Sequence, residues 1–280
     1  MKKLSILTPC YNSENYIEDT LQTVLQNRAV QERKVELEYI LCDGGSNDRT
    51  VDVVQKLLQK YKAKNISHKI ISEKDNGMYD ALSKGFKEVT GDFCAYINAA
   101  DLYSPYAFDV VNNVFSNNSN VKWLTGRAVI YSWEKVQVFN RLPFKYRANL
   151  IQAGFYGSQF PHIQQESTFW VSDLLDSVNI DYLKSLRLAG DLFLWSEFSK
   201  QAELYIVNTW LGGYRHHEGA LSADMTSYKN EVAGFIKAPV EADFMQAESD
   251  KRFWDASDDI KVARNRNFFL AYDRKKGVFC

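Results

Sequence analysis

The chain has few cysteines, no long apolar run and almost no net charge, and each absence excludes a class of protein. The 280 residues include only four cysteines, at positions 10, 42, 94 and 280, and their spacing contains no zinc-type pair. No apolar stretch approaches the roughly 18 residues that a membrane-spanning helix needs. With 34 basic and 35 acidic residues, the formal net charge of −1 gives no whole-chain preference for nucleic acid or anionic membranes.

The first residues also lack the pattern of a signal peptide. The apolar segment 4–7 is short and runs directly into Thr8 and Pro9, so cytoplasmic residence is the expectation. No internal repeat or low-complexity linker interrupts the chain. A hydrophobic fraction of 45% and a charged fraction of 25% are typical of a soluble globular protein with a substantial core.

What the sequence does contain is an alternation of strand-like and helix-like patterns through the first hundred residues. Apolar strands are predicted at 4–7, 38–42, 68–72 and 92–97. Side chains at helical spacing, such as Ile17, Leu21 and Val24, predict a helix in each connection. Three successive strand–helix–strand steps imply right-handed crossovers. The expected fold class is therefore α/β, with a mostly parallel sheet flanked by helices.

The pattern loosens after about residue 104. Helices are predicted at 106–115, 174–183 and 191–202, two strands within 123–138, one strand at 204–209, and an irregular aromatic stretch at 144–160. From residue 228 to the end the pattern is mostly helical. The simplest division is one domain over 1–225 followed by a helical C-terminal extension over 226–280.

Polar residues follow each of the first four predicted strands, at 8–12, 43–48, 73–77 and 98–101. Ligands of open parallel sheets bind at the carboxyl ends of the strands, so one cleft is expected to receive all four segments. Asp43 and Asp101 each end an apolar strand and together suggest a nucleotide and a cation. Taken alone, Asp43 with Gly44 and Gly45 is equally compatible with a well-formed turn between strand and helix.

Four motifs in this order resemble those of the family 2 glycosyltransferases. They cover about the first hundred residues and are 8–12 (TPCYN), 43–50 (DGGSNDRT), 75–81 (DNGMYDA) and 98–101 (NAAD). A thinner match follows at 164–170, 189–191 and 214–222. The resemblance implies a GT-A fold, a nucleotide-diphosphate sugar donor with a UDP-sugar favoured, a divalent cation (Mn²⁺ or Mg²⁺), and inversion at the anomeric carbon.

The resemblance also implies roles at the matching positions. Pro9, Tyr11 and Glu14 would border the base and ribose. Asp43 would bind the base, Asp75 and Asp80 would flank the sugar nucleotide, and Asn98 would add a polar contact. Asp101 and His217 would hold the metal, and Arg215 would neutralise phosphate. Asp191 would be the catalytic base that accepts the proton of the acceptor hydroxyl.

Some of these positions have structural alternatives. Asp191 precedes an apolar helical run and is also a good helix cap. His217, beside His216, also fits a polar surface loop, and the Phe169–Trp170 pair is more often core than a sugar platform. Many relatives carry an acid where this chain has Ala100, so the second carboxylate of the metal motif is missing.

The function expected from these features is transfer of a sugar from a nucleotide diphosphate to a saccharide or lipid-linked acceptor, in cell-surface polysaccharide synthesis. The alternative is a non-catalytic nucleotide-sugar-binding module whose metal motif has been lost through Ala100. A nucleotidyltransferase is disfavoured, because 8–12 contains no glycine-rich phosphate loop with a basic residue. No nucleic-acid partner is expected.

The last twenty residues combine basic and aromatic side chains. Six basic residues stand against the single acid Asp273, and Phe268, Phe269, Leu270 and Tyr272 lie among them. Such a segment can lie on an anionic membrane, so peripheral contact with the inner membrane face is a further hypothesis. A solvated terminal helix is the more common explanation of this composition.

Overall fold

The computed structural model describes residues 1–216, 225–256 and 268–280. The strands in this part of the chain are β1 (Lys2–Cys10), β2 (Val35–Asp43), β3 (Ile66–Ser72), β4 (Phe93–Tyr96), β5 (Leu102–Tyr103), β6 (Trp123–Thr125), β7 (Ala128–Tyr131), β8 (Gln137–Arg141), β9 (Phe169–Val171), β10 (Leu204–Val207), β11 (Gly212–Arg215), β12 (Phe269–Leu270), β13 (Tyr272–Asp273) and β14 (Val278–Phe279).

The helices of the same residues are α1 (Ile17–Leu25), α2 (Arg28–Gln31), α3 (Thr50–Lys60), α4 (Met78–Phe86), α5 (Ala107–Asn117), α6 (Ala148–Gln152), α7 (Ile180–Ser185), α8 (Gly190–Ser199), α9 (Met225–Ala233) and α10 (Glu241–Asp255). Two 3₁₀ helices, Gln165–Ser167 and Ser172–Ser177, flank β9. None of the described helices is both long and apolar enough to cross a membrane.

The main sheet has eight strands in the order β12-β10-β6-β9-β4-β1-β2-β3. Strand β1 is central and pairs in parallel with β2 and β4, with Leu4 opposite both Leu37 and Phe93. Seven consecutive residues of β1, from Leu4 to Cys10, are buried, because helices cover both faces of the sheet. Helices α1, α3 and α4 each turn an apolar stripe toward it. The predicted α/β architecture with a mostly parallel sheet is confirmed.

Strand β9 is the exception to the parallel order. It lies between β4 and β6 and is antiparallel to both, with Trp170 opposite Cys94 and Trp123. The sequence analysis did not predict this strand, because three residues are too few to show a period of two and its pairing partners are distant in sequence. Its insertion places the segment just before it, Gln165–Ser167, beside the end of β4.

A second sheet of four strands, in the order β5-β11-β7-β8, packs beside the carboxyl end of the main sheet. Two strands were predicted within 123–138, and the structure has β6, β7 and the beginning of β8 there. The turn of the β7–β8 hairpin places Trp133 against Tyr16, with ring centroids 6.3 Å apart, and Lys135 2.6 Å from Asp19. The hairpin is thereby fixed to α1 next to the loop after β1.

The C-terminal extension is helical over α9 and α10, but the prediction of helix to the end of the chain is wrong for 269–279. Phe269–Leu270 forms the edge strand β12, which pairs in parallel with β10 and buries Leu270. Strands β13 and β14 form a hairpin whose turn uses Gly277 at a φ of 70°. Of the six basic tail residues, Arg274, Lys275 and Lys276 lie exposed at this turn. Lys261, Arg264 and Arg266 lie outside the described residues.

Candidate active site

A cavity of about 700 Å³ opens at the carboxyl ends of β1 and β4. It brings together six residues that the sequence analysis placed in a site: Pro9, Tyr11, Asp75, Asn98, Asp101 and Asp191. Four other predicted residues, Glu14, Asp43, Asp80 and Arg215, do not line its wall. His217 lies outside the described residues. These six residues come from segments up to 182 positions apart in the sequence. The fold brings them together in one cleft, as the polar residues after the predicted strands indicated.

Asp43 ends β2 as a buried carboxylate with several internal donors. Its Oδ2 accepts hydrogen bonds from the Ser46 amide at 3.0 Å and the Ser72 hydroxyl at 2.6 Å. The Ser46 hydroxyl and the Cys10 thiol contact Oδ1. Gly44 has its own reason for lacking a side chain, since a Cβ there would lie 2.7 Å from the Asp75 carboxylate. Because Gly44 has no side chain, the Asp75 carboxylate can lie close to the end of β2.

Asp75 lies on the cavity wall, and burial raises the pKa of its carboxyl above the ordinary value. The two other acids predicted beside the nucleotide make local contacts instead. Glu14 accepts hydrogen bonds from the Arg49 amide and side chain, both at 3.0 Å, and these contacts lower its pKa. Asp80 accepts from the Asn76 amide at 3.0 Å in the first turn of α4. These two carboxylates hold the loops behind the cavity wall.

Asp101 is buried just after β4, and its Oδ1 accepts a hydrogen bond of 2.9 Å from the Arg215 amide of β11. The Arg215 guanidinium points elsewhere. It is only 1% exposed, donates to Asp19 at 2.7 Å and lies 5.0 Å from the centre of the Trp133 ring. In the described structure, Arg215 therefore fixes Asp101 through its backbone, and its side chain joins α1 to the β7–β8 hairpin.

Asp191 lies in the first turn of α8 on the opposite wall of the cavity. Its amide donates to the Tyr79 hydroxyl at 3.1 Å, and its Oδ1 accepts from the Leu192 amide at 2.7 Å. Burial raises the pKa of the Asp191 carboxyl, while the Leu192 amide and the charge of His162 oppose that shift. The N-cap of α8 is Ala189, so Asp191 is not the capping residue that its alternative interpretation required.

Gly190 is needed for this arrangement. The Tyr79 ring lies flat against it, and a Cβ at position 190 would stand 2.5 Å from two ring carbons. A contact that short cannot be accommodated unless Tyr79 moves, and the Tyr79 hydroxyl is the group that receives the Asp191 amide. The glycine before Asp191 thus lets a buried tyrosine fix the acid on the cavity wall.

A carboxylate from the C-terminal extension organises the loop that leads into α8. The Glu231 side chain, on α9, accepts hydrogen bonds of 2.9 Å from three consecutive amides, those of Arg187, Leu188 and Ala189. A negative charge is favourable at this position because the N-terminus of α8 carries partial positive charge. Glu231 therefore fixes the loop that ends at the N-cap residue of α8, Ala189.

Replacing Glu231 by alanine is expected to lower the free energy of unfolding by about 1.5–3 kcal/mol, the range for hydrogen bonds to a charged group. Equilibrium urea denaturation measures this change. Glu248→Ala, on the exposed face of α10, is the matched control and is expected to change stability by less than about 0.5 kcal/mol. Equal losses in the two variants would contradict the role of Glu231 in holding the loop before α8.

Glu166 is a residue of the cavity that the sequence did not predict. It lies in the 3₁₀ helix before β9, is buried, and lines the cavity together with Asp101. Burial, followed by the charge of Asp101, raises its pKa well above the ordinary value for glutamate. The available signal was a lone acid inside the 164–170 segment, which matches the family motifs only thinly.

The cavity wall is strongly acidic. Four carboxyl groups, those of Asp75, Asp101, Glu166 and Asp191, face one guanidinium, that of Arg187, and the imidazole of His162 among the described residues. No group of three or more His, Cys, Asp or Glu side chains forms a metal cluster within the described ranges. An anionic ligand in this cavity therefore meets a wall whose charge has the same sign as its own.

Comparison with known proteins gives a family, relatives and a fold. A model described as Glycosyl transferase family 2 matches residues 5–162. A dolichyl N-acetyl-alpha-D-glucosaminyl phosphate 3-beta-D-2,3-diacetamido-2,3-dideoxy-beta-D-glucuronosyltransferase of Methanococcus voltae is 32% identical over 33% of this chain. An undecaprenyl-phosphate 4-deoxy-4-formamido-L-arabinose transferase of Photorhabdus laumondii is 30% identical over 38% of it. These alignments span 27% and 31% of the two relatives, so the chain matches about a third of their length or less.

Among solved structures, residues 1–349 of S. aureus TarS in complex with UDP-GlcNAc superpose with a TM-score of 0.59. The superposition covers 78% of this chain and 60% of the other, at 16% sequence identity. At 16% identity this likeness shows a shared fold, and it does not show which ligands this chain binds.

Proposed function

The chain belongs to glycosyl transferase family 2 and is a glycosyltransferase of the GT-A fold, and from this premise we propose that it moves a sugar from a nucleotide diphosphate to an acceptor hydroxyl with inversion at the anomeric carbon. The observation that carries the proposal is the single cavity that joins Pro9, Tyr11 and Asp75 on one side to Asp191 on the other. A donor and an acceptor can meet in it. The alternative of a binding module without catalysis gives no role to Asp191.

The nucleotide is proposed to bind along the loops after β1 and β3. Tyr11 is 60% exposed and lines the cavity, so its ring is available to a base or ribose. Asp43 is buried behind this wall with its oxygens bound to Ser46 and Ser72, so it is proposed to support the base-binding end of β2 from behind. A UDP-sugar is favoured because a protein of the same fold has been solved in complex with UDP-GlcNAc.

Asp191 is proposed to accept the proton of the attacking hydroxyl. Its Oδ1 already accepts the Leu192 amide, which leaves Oδ2 for the acceptor. The acceptor oxygen forms its bond to the anomeric carbon from one face. The bond from that carbon to the diphosphate oxygen breaks on the other face, and the diphosphate leaves with the bonding electrons. Positioned proton transfer of this kind contributes roughly 10²- to 10⁴-fold to a rate.

The divalent cation that the family resemblance implies, Mn²⁺ or Mg²⁺, fits the donor set of the cavity. The groups are all oxygens: Asp101 contributes a carboxylate, and the Asn98 Oδ1 is buried without a hydrogen-bond partner in the described structure. When bound, such a cation neutralises charge that develops on the departing diphosphate. Asp101 is proposed to hold it. His217, the second predicted ligand, lies outside the described residues.

The acceptor is proposed to enter from the side of α8 and α9, where Leu188, Met225 and Tyr228 form an apolar wall next to Asp191. A saccharide or a lipid-linked acceptor in cell-surface polysaccharide synthesis suits the names of the relatives, which include dolichyl and undecaprenyl phosphates. Cytoplasmic residence and contact of the basic tail with the inner membrane face remain part of this proposal.

A panel of nucleotide sugars tests donor binding. At a ligand concentration of 100 times its dissociation constant, a true donor stabilises the protein by about 2.7 kcal/mol, which a thermal shift assay detects. We expect UDP-sugars with Mn²⁺ to give the largest shift and the matching nucleoside monophosphates to give smaller ones. Absence of a shift with every nucleotide sugar would contradict the proposal. Donor turnover with a saccharide acceptor then separates an enzyme from a binding module.

A further inference from the structure

Glu166 is held beside the end of β4 by contacts on both of its neighbours. On one side, the Gln165 side chain donates to the Tyr96 carbonyl oxygen at the end of β4 and accepts from the Asn98 amide group at 3.4 Å. On the other side, the Ser167 hydroxyl donates to the Gly212 carbonyl oxygen of β11 at 2.8 Å. The backbone of Glu166 is therefore fixed between the strand that precedes Asp101 and the strand whose Arg215 amide binds Asp101.

Gly212 shows how closely β11 approaches this turn. A Cβ at position 212 would lie 2.1 Å from the Glu166 carbonyl oxygen, so the two backbones are in direct contact. The turn cannot move closer to β11, and the Ser167 hydrogen bond to the Gly212 carbonyl oxygen holds it there. The Glu166 side chain lines the cavity from this fixed backbone, and Asp101 lines the same cavity.

Two buried carboxyl groups in contact repel each other when both are ionised, and a proton or a cation between them removes that cost. Ala100, adjacent to Asp101 in the chain, is 3% exposed and supplies no such charge. Glu166 is distant from Asp101 in sequence, yet it places a second carboxyl group on the same cavity wall, which Ala100 cannot do. The buried, unpartnered Asn98 Oδ1 adds a third oxygen on the same cavity wall.

Once a donor is bound, the negative charge of the cavity wall favours a divalent cation over a proton between the Asp101 and Glu166 carboxyl groups. A nucleotide diphosphate brings at least two negative charges into a cavity with four carboxyl groups, and Arg187 is the one guanidinium among its described lining residues. A divalent cation held by carboxylate oxygens and completed by phosphate oxygens offsets both sets of charges.

We propose that Glu166 supplies the second carboxylate of a divalent-cation site with Asp101, in the place that Ala100 leaves without an acid. This inference rests on the proposed donor, since the phosphates complete the site, and it gives Glu166 a role in metal binding. Glu166 enters the site from the turn before β9, whereas the acid usual in the family stands next to Asp101 in sequence.

Glu166→Gln tests the assignment, because the amide keeps the shape of the side chain and removes its charge. Electron paramagnetic resonance of free Mn²⁺ measures cation binding directly, with Mn²⁺ alone and with Mn²⁺ plus UDP. The expected result is a dissociation constant for Mn²⁺ in the presence of UDP that is at least about tenfold higher than in the wild type. Glu248→Gln, at an exposed position of α10, is the matched control and should bind Mn²⁺ as the wild type does.

A double variant sharpens the test. Adding Ala100→Asp to Glu166→Gln returns a carboxylate to Asp101 from the neighbouring position and is expected to restore most of the lost Mn²⁺ affinity. Unchanged Mn²⁺ binding in Glu166→Gln overturns the proposal, whether or not the double variant folds. Calorimetry of UDP in the presence of Mn²⁺ separates this failure from that of the proposed donor. Absence of UDP binding to the wild type contradicts the donor, whereas normal UDP binding to the wild type with unchanged Mn²⁺ affinity in Glu166→Gln contradicts only the role of Glu166.

Discussion

Asp191→Asn is expected to lower the rate of sugar transfer by about 10²- to 10⁴-fold and to leave the affinity for the nucleotide donor within about twofold of the wild type. Asparagine retains an oxygen that can accept the Leu192 amide, so the geometry at the start of α8 is preserved. Its amide group cannot take a proton from the acceptor hydroxyl. The variant therefore removes the proton transfer and little else.

The pKa of Asp191 adds a pH signature to this prediction. Burial raises the pKa of its carboxyl above the ordinary value of 3.8, and only the ionised form is a base. The rate of transfer by the wild type should therefore rise with pH through that elevated pKa, and this limb should be absent from the residual activity of Asp191→Asn. A wild-type rate that is independent of pH across the acid range would contradict the assignment of Asp191 as the base.

Stability provides the complementary control. The folded state holds the Asp191 proton more tightly than the unfolded chain does. The stability that this proton contributes is therefore fully present below the pKa of Asp191 in the unfolded chain, and it is lost as pH rises through the pKa of Asp191 in the folded protein. Asparagine has no such ionisation, so Asp191→Asn should be at least as stable as the wild type near neutral pH.

Asp181→Asn, on exposed α7, removes the same charge away from the cavity and is the matched control. Transfer by this variant should stay within about twofold of the wild type. Equal activity of Asp191→Asn and Asp181→Asn would sink the catalytic role, and a loss of donor binding in Asp191→Asn would reassign the residue to the nucleotide.

The parts of the site that the sequence predicted are those whose signals are local. Asp43 and Asp101 each follow an apolar strand, and β1, β2 and β4 alternate with helices whose periodicity is visible in short windows. The parallel order then places their carboxyl ends on one edge of the sheet. Pro9, Asn98 and Asp101 reach the cavity for this reason alone.

The parts that the sequence did not predict depend on contacts between distant positions. Arg215 pairs with Asp19, which lies 196 positions away, and this pair takes the guanidinium from the cavity wall. Glu231 binds the Arg187 amide across 44 positions. Glu166 reaches Asp101 only because β9 inserts antiparallel between β4 and β6. No local periodicity encodes such pairings, since each is fixed by packing of the whole domain.

Trp170→Ala is expected to lower the free energy of unfolding by about 3–5 kcal/mol, the range for truncating a large buried aromatic side chain. Trp170 is fully buried in β9 and packs against rings from three other elements. Its centroid distances are 6.3 Å to Phe86 of α4, 6.4 Å to Tyr96 of β4, and 5.7 and 5.4 Å to Trp195 and Phe198 of α8. A loss of this size is a large fraction of the roughly 5–15 kcal/mol that stabilises a typical domain.

Equilibrium urea denaturation measures the loss, and an unchanged m-value shows that the unfolding transition stays cooperative. Trp133→Ala is the control for a half-exposed indole: Trp133 is 48% exposed, so its truncation removes the contacts with Tyr16 and Arg215 but opens no buried cavity, and its loss should be smaller. A change of less than about 1 kcal/mol in Trp170→Ala would contradict the assignment of Trp170 to the core.

Trp170→Phe separates the core role from the alternative of a sugar platform. The indole Nε1 of Trp170 is buried without a hydrogen-bond partner in the described structure, so phenylalanine removes an unsatisfied donor and keeps most of the ring contacts. Its loss of stability should be smaller than that of alanine. Because Trp170 does not line the cavity, whereas Glu166 four positions earlier does, the KM values for donor and acceptor should change by less than about twofold while the protein is folded. A large rise in the acceptor KM would instead place the Trp170 ring at the sugar, and the turn before β9 would then serve the acceptor and not the cation.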